Sequence, residues 1–123
     1  IIDTSGSMSD RELTVALSEV QGILRTLGYG ATVITADAQV HTVARCTRAN
    51  KVELVGGGGT DMAKAIDFAV SKLYPRPDVV VVLTDGFTPW PSEPPRGVRV
   101  VVALVGYGSA PDWAKTVRVE VEA

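Results

Sequence analysis

The sequence predicts a layered α/β fold, with helices on both faces of a sheet, for three reasons. Two amphipathic helix patterns alternate with short apolar runs along the chain, as they do in layered α/β domains. Val79–Leu83 is wholly apolar and Val98–Val105 nearly so, which is typical of strands covered on both faces. The 123 residues, of which 46% are hydrophobic and 21% charged, fit one globular domain spanning residues 1–123.

The first half of the chain is predicted to contain a strand end, a helix and a hairpin. The first two residues form the end of a strand whose beginning is missing, and because the chain does not begin with Met we expect a fragment of a longer protein. A capping box at Ser9–Glu12 starts a helix whose apolar stripe runs to Leu27, after which a glycine ends it. Ala31–Ala36 and Gln39–Ala44 are predicted to be two strands joined by a tight turn.

The second half is predicted to add another helix and three strands. Thr60 and Asp61 start a helix whose apolar stripe ends before two prolines. The two apolar runs described above are strands, and they enclose a proline-rich surface loop at Phe87–Gly97. The alternating segment Val117–Val121 is predicted to be a half-exposed edge strand.

Composition excludes several classes of partner and site. Twelve Lys and Arg against fourteen Asp and Glu give a net charge of −2, so the chain has no basic surplus for binding nucleic acid. No apolar run approaches the length needed for membrane insertion. A single Cys and a single His can form neither an internal disulfide nor a Cys/His zinc site. We expect a cytoplasmic protein, and the sequence leaves its oligomeric state open.

Hydroxyl and carboxylate side chains collect at three places where ligands are expected in such a fold. The segment Asp3–Ser7 follows the first strand, Gly59–Asp61 starts the second helix, and Leu83–Gly86 ends the buried strand. Open α/β sheets bind ligands at the carboxyl ends of their strands. Magnesium prefers an all-oxygen set, whereas the absence of thiolate and imidazole argues against zinc and copper. The sequence therefore predicts a divalent-metal site of two carboxylates and three hydroxyls: Asp3, Ser5, Ser7, Thr60 and Asp85.

These motifs resemble the metal-ion-dependent adhesion site (MIDAS) of von Willebrand factor A (VWA) domains. The glycine run before Thr60 and the LTDG motif followed by PWP are most similar to the small bacterial VWA-like domain of the DUF2201 type. The resemblance implies a three-layer Rossmann-like fold whose mostly parallel sheet carries Gln39–Ala44 as an antiparallel edge strand. It implies that the five residues hold Mg²⁺, or else Mn²⁺ and less favourably Ca²⁺, and that a protein partner supplies an Asp or Glu carboxylate. It also implies that a metallopeptidase-like region often precedes such a domain.

Other interpretations of the same residues stay open at this point. Asp, Ser and Gly are common in turns and helix caps, so the motifs could also serve only to form turns and cap helices. A metal-assisted hydrolase would use the same cation, with Asp10, Asp61 or Glu93 as its base, although none has a telling spacing. A fold that binds nothing through a metal is a third alternative. Trp90 either belongs to a partner-binding rim or folds back on its own prolines. No helix is predicted after the last strand, so the resemblance gives no basis for affinity switching through a C-terminal helix.

Overall fold

The part of the chain that the structure describes, residues 1–120 of a computed structural model, contains two α-helices and six strands joined in one sheet. A short 3-10 helix lies between the third strand and the second α-helix, and no helix in this range is long and apolar enough to cross a membrane. The elements in chain order are β1 (Ile2–Asp3), α1 (Asp10–Leu27), β2 (Ala31–Ala36), β3 (Val40–Cys46), the 3-10 helix (Ala49–Lys51), α2 (Met62–Lys72), β4 (Val79–Thr84), β5 (Arg99–Leu104) and β6 (Lys115–Arg118).

The strands lie in the order β3-β2-β1-β4-β5-β6, so the chain starts in the middle of the sheet and builds outward in both directions. Every neighbouring pair is parallel except β2 and β3, which form an antiparallel hairpin at one side. The expected mostly parallel sheet with one antiparallel edge strand is therefore confirmed. The strand order reverses between β1 and β4, and their carboxyl ends form the switch point at which such sheets bind ligands. We call that end of the sheet the carboxyl end and the opposite one the amino end.

Helix α1 follows the local signals in its sequence. The Ser9 hydroxyl accepts a hydrogen bond from the Glu12 amide at 3.1 Å, and the Glu12 carboxylate accepts one from the Ser9 amide at 2.9 Å. The predicted capping box is thus formed. At the other end Gly28 has a φ of 76°, a left-handed conformation that glycine adopts without strain.

Two apolar cores, one on each face of the sheet, hold the helices in place. On one face α2 packs in a core with Val82 of β4 and Val102 of β5, both fully buried. On the other face α1 packs in a core with Ile2 of β1 and Leu83 of β4. Val82 and Leu83 belong to different cores because successive side chains of a strand point to opposite faces. Helix, sheet and helix form the predicted three layers.

The structure differs from the sequence prediction at several strand ends. The strand predicted at Gln39–Ala44 is Val40–Cys46, because its pairing with β2 continues until Cys46 lies opposite Ala31. Val79, predicted to be covered on both faces, is 51% exposed because it is the first residue of β4 at the amino end of the sheet. The last strand, predicted at Val117–Val121, is instead Lys115–Arg118, since parallel pairing with β5 starts where Lys115 lies opposite Val101. All four of its residues are exposed, rather than every second one. Residue 121 of the predicted strand lies outside the described residues.

Candidate metal site

The two predicted carboxylate ligands leave the sheet side by side. Strands β1 and β4 are parallel neighbours with Ile2 opposite Leu83, so the residues that follow emerge together at the carboxyl end. Both carboxylates are shielded from water, since Asp3 is 0% exposed and Asp85 is 2% exposed. Burying a charged group is costly unless a partner compensates it, so these positions require an account of what the carboxylates contact.

A chain of hydrogen bonds joins four of the predicted residues. The Ser5 and Ser7 hydroxyl oxygens lie 3.1 Å apart, and the Ser7 hydroxyl donates to Asp85 Oδ2 at 2.7 Å. Asp3 Oδ1 accepts from the Ser5 amide at 2.9 Å. The structure therefore brings these four residues into one group, which we call the aspartate–serine group: Asp3, Ser5, Ser7 and Asp85.

Thr84 belongs beside this group, although the sequence prediction missed it. Its hydroxyl donates to Asp3 Oδ2 at 2.6 Å and accepts from the Gly86 amide at 3.1 Å, and the residue is fully buried. Each carboxylate oxygen has two acceptor sites, so both Asp3 oxygens keep capacity for a further ligand. The sequence does contain a signal for Thr84, because its hydroxyl ends an otherwise apolar strand and directly precedes Asp85.

The electrostatics of the aspartate–serine group favour a cation. Burial raises the pKa of Asp3, the hydrogen bonds from Thr84 and Ser5 oppose this rise, and the nearby Asp85 carboxylate adds to it. No described Lys, Arg or His side chain forms an ion pair with either carboxylate. Oxygen donors carrying two negative charges suit a divalent ion such as Mg²⁺, so the residues present fit the predicted metal.

The glycine run packs directly onto the Asp3–Ser7 loop. The Gly6 amide donates to the Gly58 carbonyl oxygen at 2.9 Å, and the Gly57 amide donates to the Thr4 carbonyl oxygen at 2.8 Å. A Cβ at Gly56 would lie 2.3 Å from the same Thr4 oxygen, so a side chain there would prevent the contact. The close backbone contact explains the glycine at position 56, and a φ of +103° explains the one at position 57.

Thr60, the fifth predicted ligand, is half-buried, and backbone contacts at Gly58 and Asp61 hold the chain on either side of it. Gly58 is bound to the Asp3–Ser7 loop, and the Asp61 amide donates to the Asp37 carbonyl oxygen at 3.2 Å. Within residues 1–120 no hydrogen bond joins the Thr60 hydroxyl to the aspartate–serine group. The same range holds no cluster of three or more His, Cys, Asp or Glu side chains suited to a metal. The predicted set has a different composition, with two carboxylates and three hydroxyls.

Asp37 is a third buried carboxylate, and sequence reasoning did not identify it. It is 6% exposed; Oδ2 accepts from the Gly58 amide at 3.0 Å, and Oδ1 accepts from the Gln39 amide at 2.9 Å and lies 2.7 Å from His41 Nε2. Burial acts to raise the pKa of Asp37, but the amide hydrogen bonds and His41 together hold it below its ordinary value. Asp37 thus ties the glycine run to the β2–β3 hairpin. The sequence indicates this role only through the position of Asp37 in the tight turn between the two predicted strands.

The other side chains considered near the site have structural contacts. Trp90 is half-buried, packs against the α2-side core and donates from its indole N–H to the Ser109 carbonyl oxygen at 3.0 Å. Asp61 caps α2 by accepting from the Lys64 amide at 3.1 Å. Asp10 and Glu93, the other base candidates, are exposed, and neither has a described hydrogen bond to the aspartate–serine group.

Comparison with known proteins agrees with this architecture. The sequence profile of a VWA-like domain family (DUF2201) matches residues 1–120. An uncharacterized protein of Thermotoga maritima is 38% identical over 94 residues. The matched region covers 74% of this chain and 23% of the Thermotoga protein, so the chain corresponds to one part of a longer relative.

Proposed function

Because this chain belongs to the VWA-like domain family (DUF2201), which suggests a protein-interaction or accessory module, we propose that it is a divalent-metal-dependent interaction module. Its partner is a protein that presents an Asp or Glu carboxylate. The bound ion supplies positive charge and a free coordination position for that carboxylate. The metal is Mg²⁺ or Mn²⁺, with Ca²⁺ less suited, and its proposed ligands are Asp3, Ser5, Ser7, Thr60 and Asp85.

The observation that supports this proposal is a pair of buried carboxylates with which no Lys, Arg or His of the described residues forms an ion pair. Asp3 and Asp85 lie together at the switch point, and a cation is the simplest group that compensates both charges. Thr84 and the Ser5 amide orient the Asp3 carboxylate by two hydrogen bonds. Such outer contacts hold metal ligands in a fixed orientation and strengthen binding.

Thermal unfolding of the metal-stripped protein, with and without millimolar Mg²⁺ or Mn²⁺, tests the proposal. An ion at about one hundred times its Kd stabilises the folded state by roughly 2.7 kcal/mol, which corresponds to a rise in Tm of roughly 10 °C for a domain of this size. We expect the parent protein to show this rise and both Asp3→Ala and Asp85→Ala to lose it. Asp67→Asn, which removes an exposed carboxylate in the middle of α2, is the matched control and keeps the full rise.

Two outcomes would contradict the proposal. A parent protein whose Tm does not respond to either ion has no metal site of this kind, and the fold then binds nothing through a metal. Hydrolysis of a generic phosphoester or peptide by the metal-loaded protein, abolished in Asp3→Ala, would favour the metal-assisted hydrolase instead. The same purified variants serve for both assays.

An accessory role within a larger polypeptide is a second candidate, and the length of the Thermotoga relative favours it. The matched region makes up 23% of that protein, which leaves most of it for other parts. In this version the carboxylate comes from another region of the same chain, such as a metallopeptidase-like region. Binding of the isolated domain to the remainder of its own full-length protein, dependent on Mg²⁺ and on Asp85, would support this candidate.

A further inference from the structure

Two strongly exposed aromatic side chains flank Asp85. Phe87 is 60% exposed and comes two residues after Asp85, while Tyr107 is 94% exposed in the loop that follows β5. The two chain segments cross in backbone contact, since a Cβ at Gly108 would lie 2.3 Å from the carbonyl carbon of Gly86. Phe87 and Tyr107 are each one residue from this crossing, and we call the pair the aromatic rim.

Hydrogen bonds hold both segments in place. The Gly108 amide donates to the Asp85 carbonyl oxygen at 2.7 Å, and the Phe87 amide donates to Asp85 Oδ1 at 3.0 Å. The Arg118 guanidinium donates to the carbonyl oxygens on either side of Tyr107, those of Gly106 at 2.6 Å and Gly108 at 3.2 Å. The rim is therefore carried by ordered backbone, and binding through it would lose little backbone conformational entropy.

The contrast with Trp90 shows how little of the aromatic rim is used for packing within the domain. Trp90 lies in the same loop as Phe87, but it is half-buried against the core and its indole N–H is bonded to Ser109. Tyr107 leaves nearly its whole surface in water. Aromatic side chains on ordered surfaces are the residues that most often anchor protein interfaces, because they bury a large area with few rotatable bonds.

The charges around the rim limit what it can bind. Residues 85–93 and 105–112 contain the acidic residues Asp85, Glu93 and Asp112 and no Lys or Arg. The Arg118 guanidinium also lies beside Tyr107, but it is a single cation already bound to the carbonyl oxygens of Gly106 and Gly108. Anionic lipid headgroups would not be attracted to such a surface, because attraction to them requires clustered basic residues. A run of several acidic residues in a partner would be repelled. A single carboxylate beside a bulky apolar side chain avoids this repulsion.

We infer that the aromatic rim binds a bulky apolar side chain of the same partner segment whose carboxylate reaches the metal. The partner is therefore a polypeptide with one Asp or Glu next to an aromatic or large aliphatic residue, not an acidic tract. This inference rests on the proposed function, because the carboxylate end of the segment needs the metal. It adds the part of the specificity that the metal itself cannot supply, since a cation binds any carboxylate.

Two capped tetrapeptides test the inference with the Mg²⁺-loaded protein: acetyl-Ser-Asp-Phe-Ser-amide and acetyl-Ser-Asp-Ser-Ser-amide. Titration followed by amide chemical shifts gives the affinity of each. We expect the Phe peptide to bind about tenfold more tightly, which is the scale of one buried aromatic contact. Combining Phe87→Ala with Tyr107→Ala removes that preference, while the Mg²⁺-induced rise in Tm stays as in the parent protein.

Tyr74→Ala is the matched control, because Tyr74 is 99% exposed but lies between α2 and β4, at the amino end of the sheet. It keeps the full preference for the Phe peptide. Equal affinity for the two peptides overturns the aromatic rim alone. No measurable binding of either peptide by a protein that does respond to Mg²⁺ overturns the rim and also the proposed binding of a partner carboxylate, and leaves only the metal site. Absence of the Mg²⁺ response in the parent overturns the proposed function and this inference with it. Self-association of the protein that Tyr107→Ala abolishes would assign the rim to a second copy and also overturn the inference.

Discussion

The two ends of the sheet are built from different kinds of contact. At the carboxyl end, side chains far apart in sequence bind each other: Ser7 reaches Asp85 across 78 residues, and Thr84 reaches Asp3 across 81. At the amino end the contacts span shorter separations in the sequence: the Ala49 amide donates to Gln21 Oε1 across 28 residues, and the Gly28 amide donates to the Leu24 carbonyl oxygen within one helical turn. The exposed Tyr74 also lies at the amino end, in the connection that follows α2.

The buried polar side chains show what this difference means. Every buried polar or charged residue in residues 1–120 lies in the last two positions of a strand or in the loop that follows it: Asp3, Thr4, Ser5, Thr35, Asp37, Thr84 and Asp85. Burying such groups costs free energy unless each one is satisfied, and apolar residues would stabilise a fold more simply. We therefore interpret their concentration at one end of the sheet as the mark of a binding site, whereas the described part of the amino end has no buried polar or charged side chain.

The largest difference between the two ends is expected from glycine substitutions. At Gly108 a Cβ would lie 2.3 Å from a backbone atom of Gly86, so Gly108→Ala forces two segments apart and lowers the free energy of unfolding by about 3 kcal/mol. At Gly28 a Cβ meets nothing within 4 Å, and only its φ of +76° is unfavourable. Gly28→Ala is expected to cost about 1 kcal/mol.

Equilibrium unfolding in urea measures both variants against the parent protein. Equal losses would show that the carboxyl end yields as easily as a helix terminus, and the contrast between a rigid and a local end would then be wrong. A loss at Gly108 accompanied by a weaker Mg²⁺ response would show that the loop crossing also positions Asp85.

Asp37→Asn is expected to have the next largest effect. Its carboxylate accepts two backbone amides and contacts His41, and the asparagine cannot satisfy all three, which lowers the free energy of unfolding by about 2 kcal/mol at neutral pH. Releasing Gly58 also loosens the loop before Thr60, so we expect a smaller Mg²⁺ response. Asp67→Asn, which removes an exposed carboxylate, is the control and stays within about 0.5 kcal/mol.

The pH dependence of this loss has a definite sign. Because the pKa of Asp37 is held below its ordinary value, its stabilisation is complete above about pH 4 and disappears as the pH falls through the lower, folded-state pKa. The gap between parent and Asp37→Asn in urea unfolding should therefore narrow under acid conditions. A gap that is constant or wider in acid would mean that the charge of Asp37 contributes nothing.

Local signals explain what the sequence could predict. The α1 boundaries follow from Ser9, Glu12 and Gly28, each of which acts within one turn of the helix. Four of the five predicted ligands meet in one group because adjoining parallel strands release their carboxyl ends together, and their metal binding stays a prediction. The bond from Asp37 to Gly58 could not be predicted, because it depends on how a hairpin turn and a glycine run 21 residues away meet in space.

The same limit applies to residues whose role is set by packing. The indole N–H of Trp90 donates to the carbonyl oxygen of Ser109, which lies in a different loop, after β5. Because the sequence does not show that these two loops meet, it left the two interpretations of Trp90 equal. The start of the last strand was set by the register of Lys115 against Val101, which the apolar pattern of Val117–Val121 does not contain. Sequence reasoning thus located the carboxyl end of the sheet correctly and could not resolve which of its side chains hold the loops together.

Asp3→Asn is expected to have the smallest effect and the opposite sign, a gain in stability of about 1 kcal/mol for the metal-free protein at about pH 8. Burial and the nearby Asp85 charge raise the pKa of Asp3, so its ionised form destabilises the folded state above that pKa and the gain should vanish as the pH falls. Urea unfolding in EDTA measures it, and the same variant should lose the Mg²⁺ response. A loss of stability at every pH would instead mean that the bonds from Thr84 and Ser5 make this carboxylate a structural group. A gain in stability would show that the negative charge of Asp3 destabilises the metal-free fold. Such a cost is expected of a carboxylate that is kept in order to bind a cation.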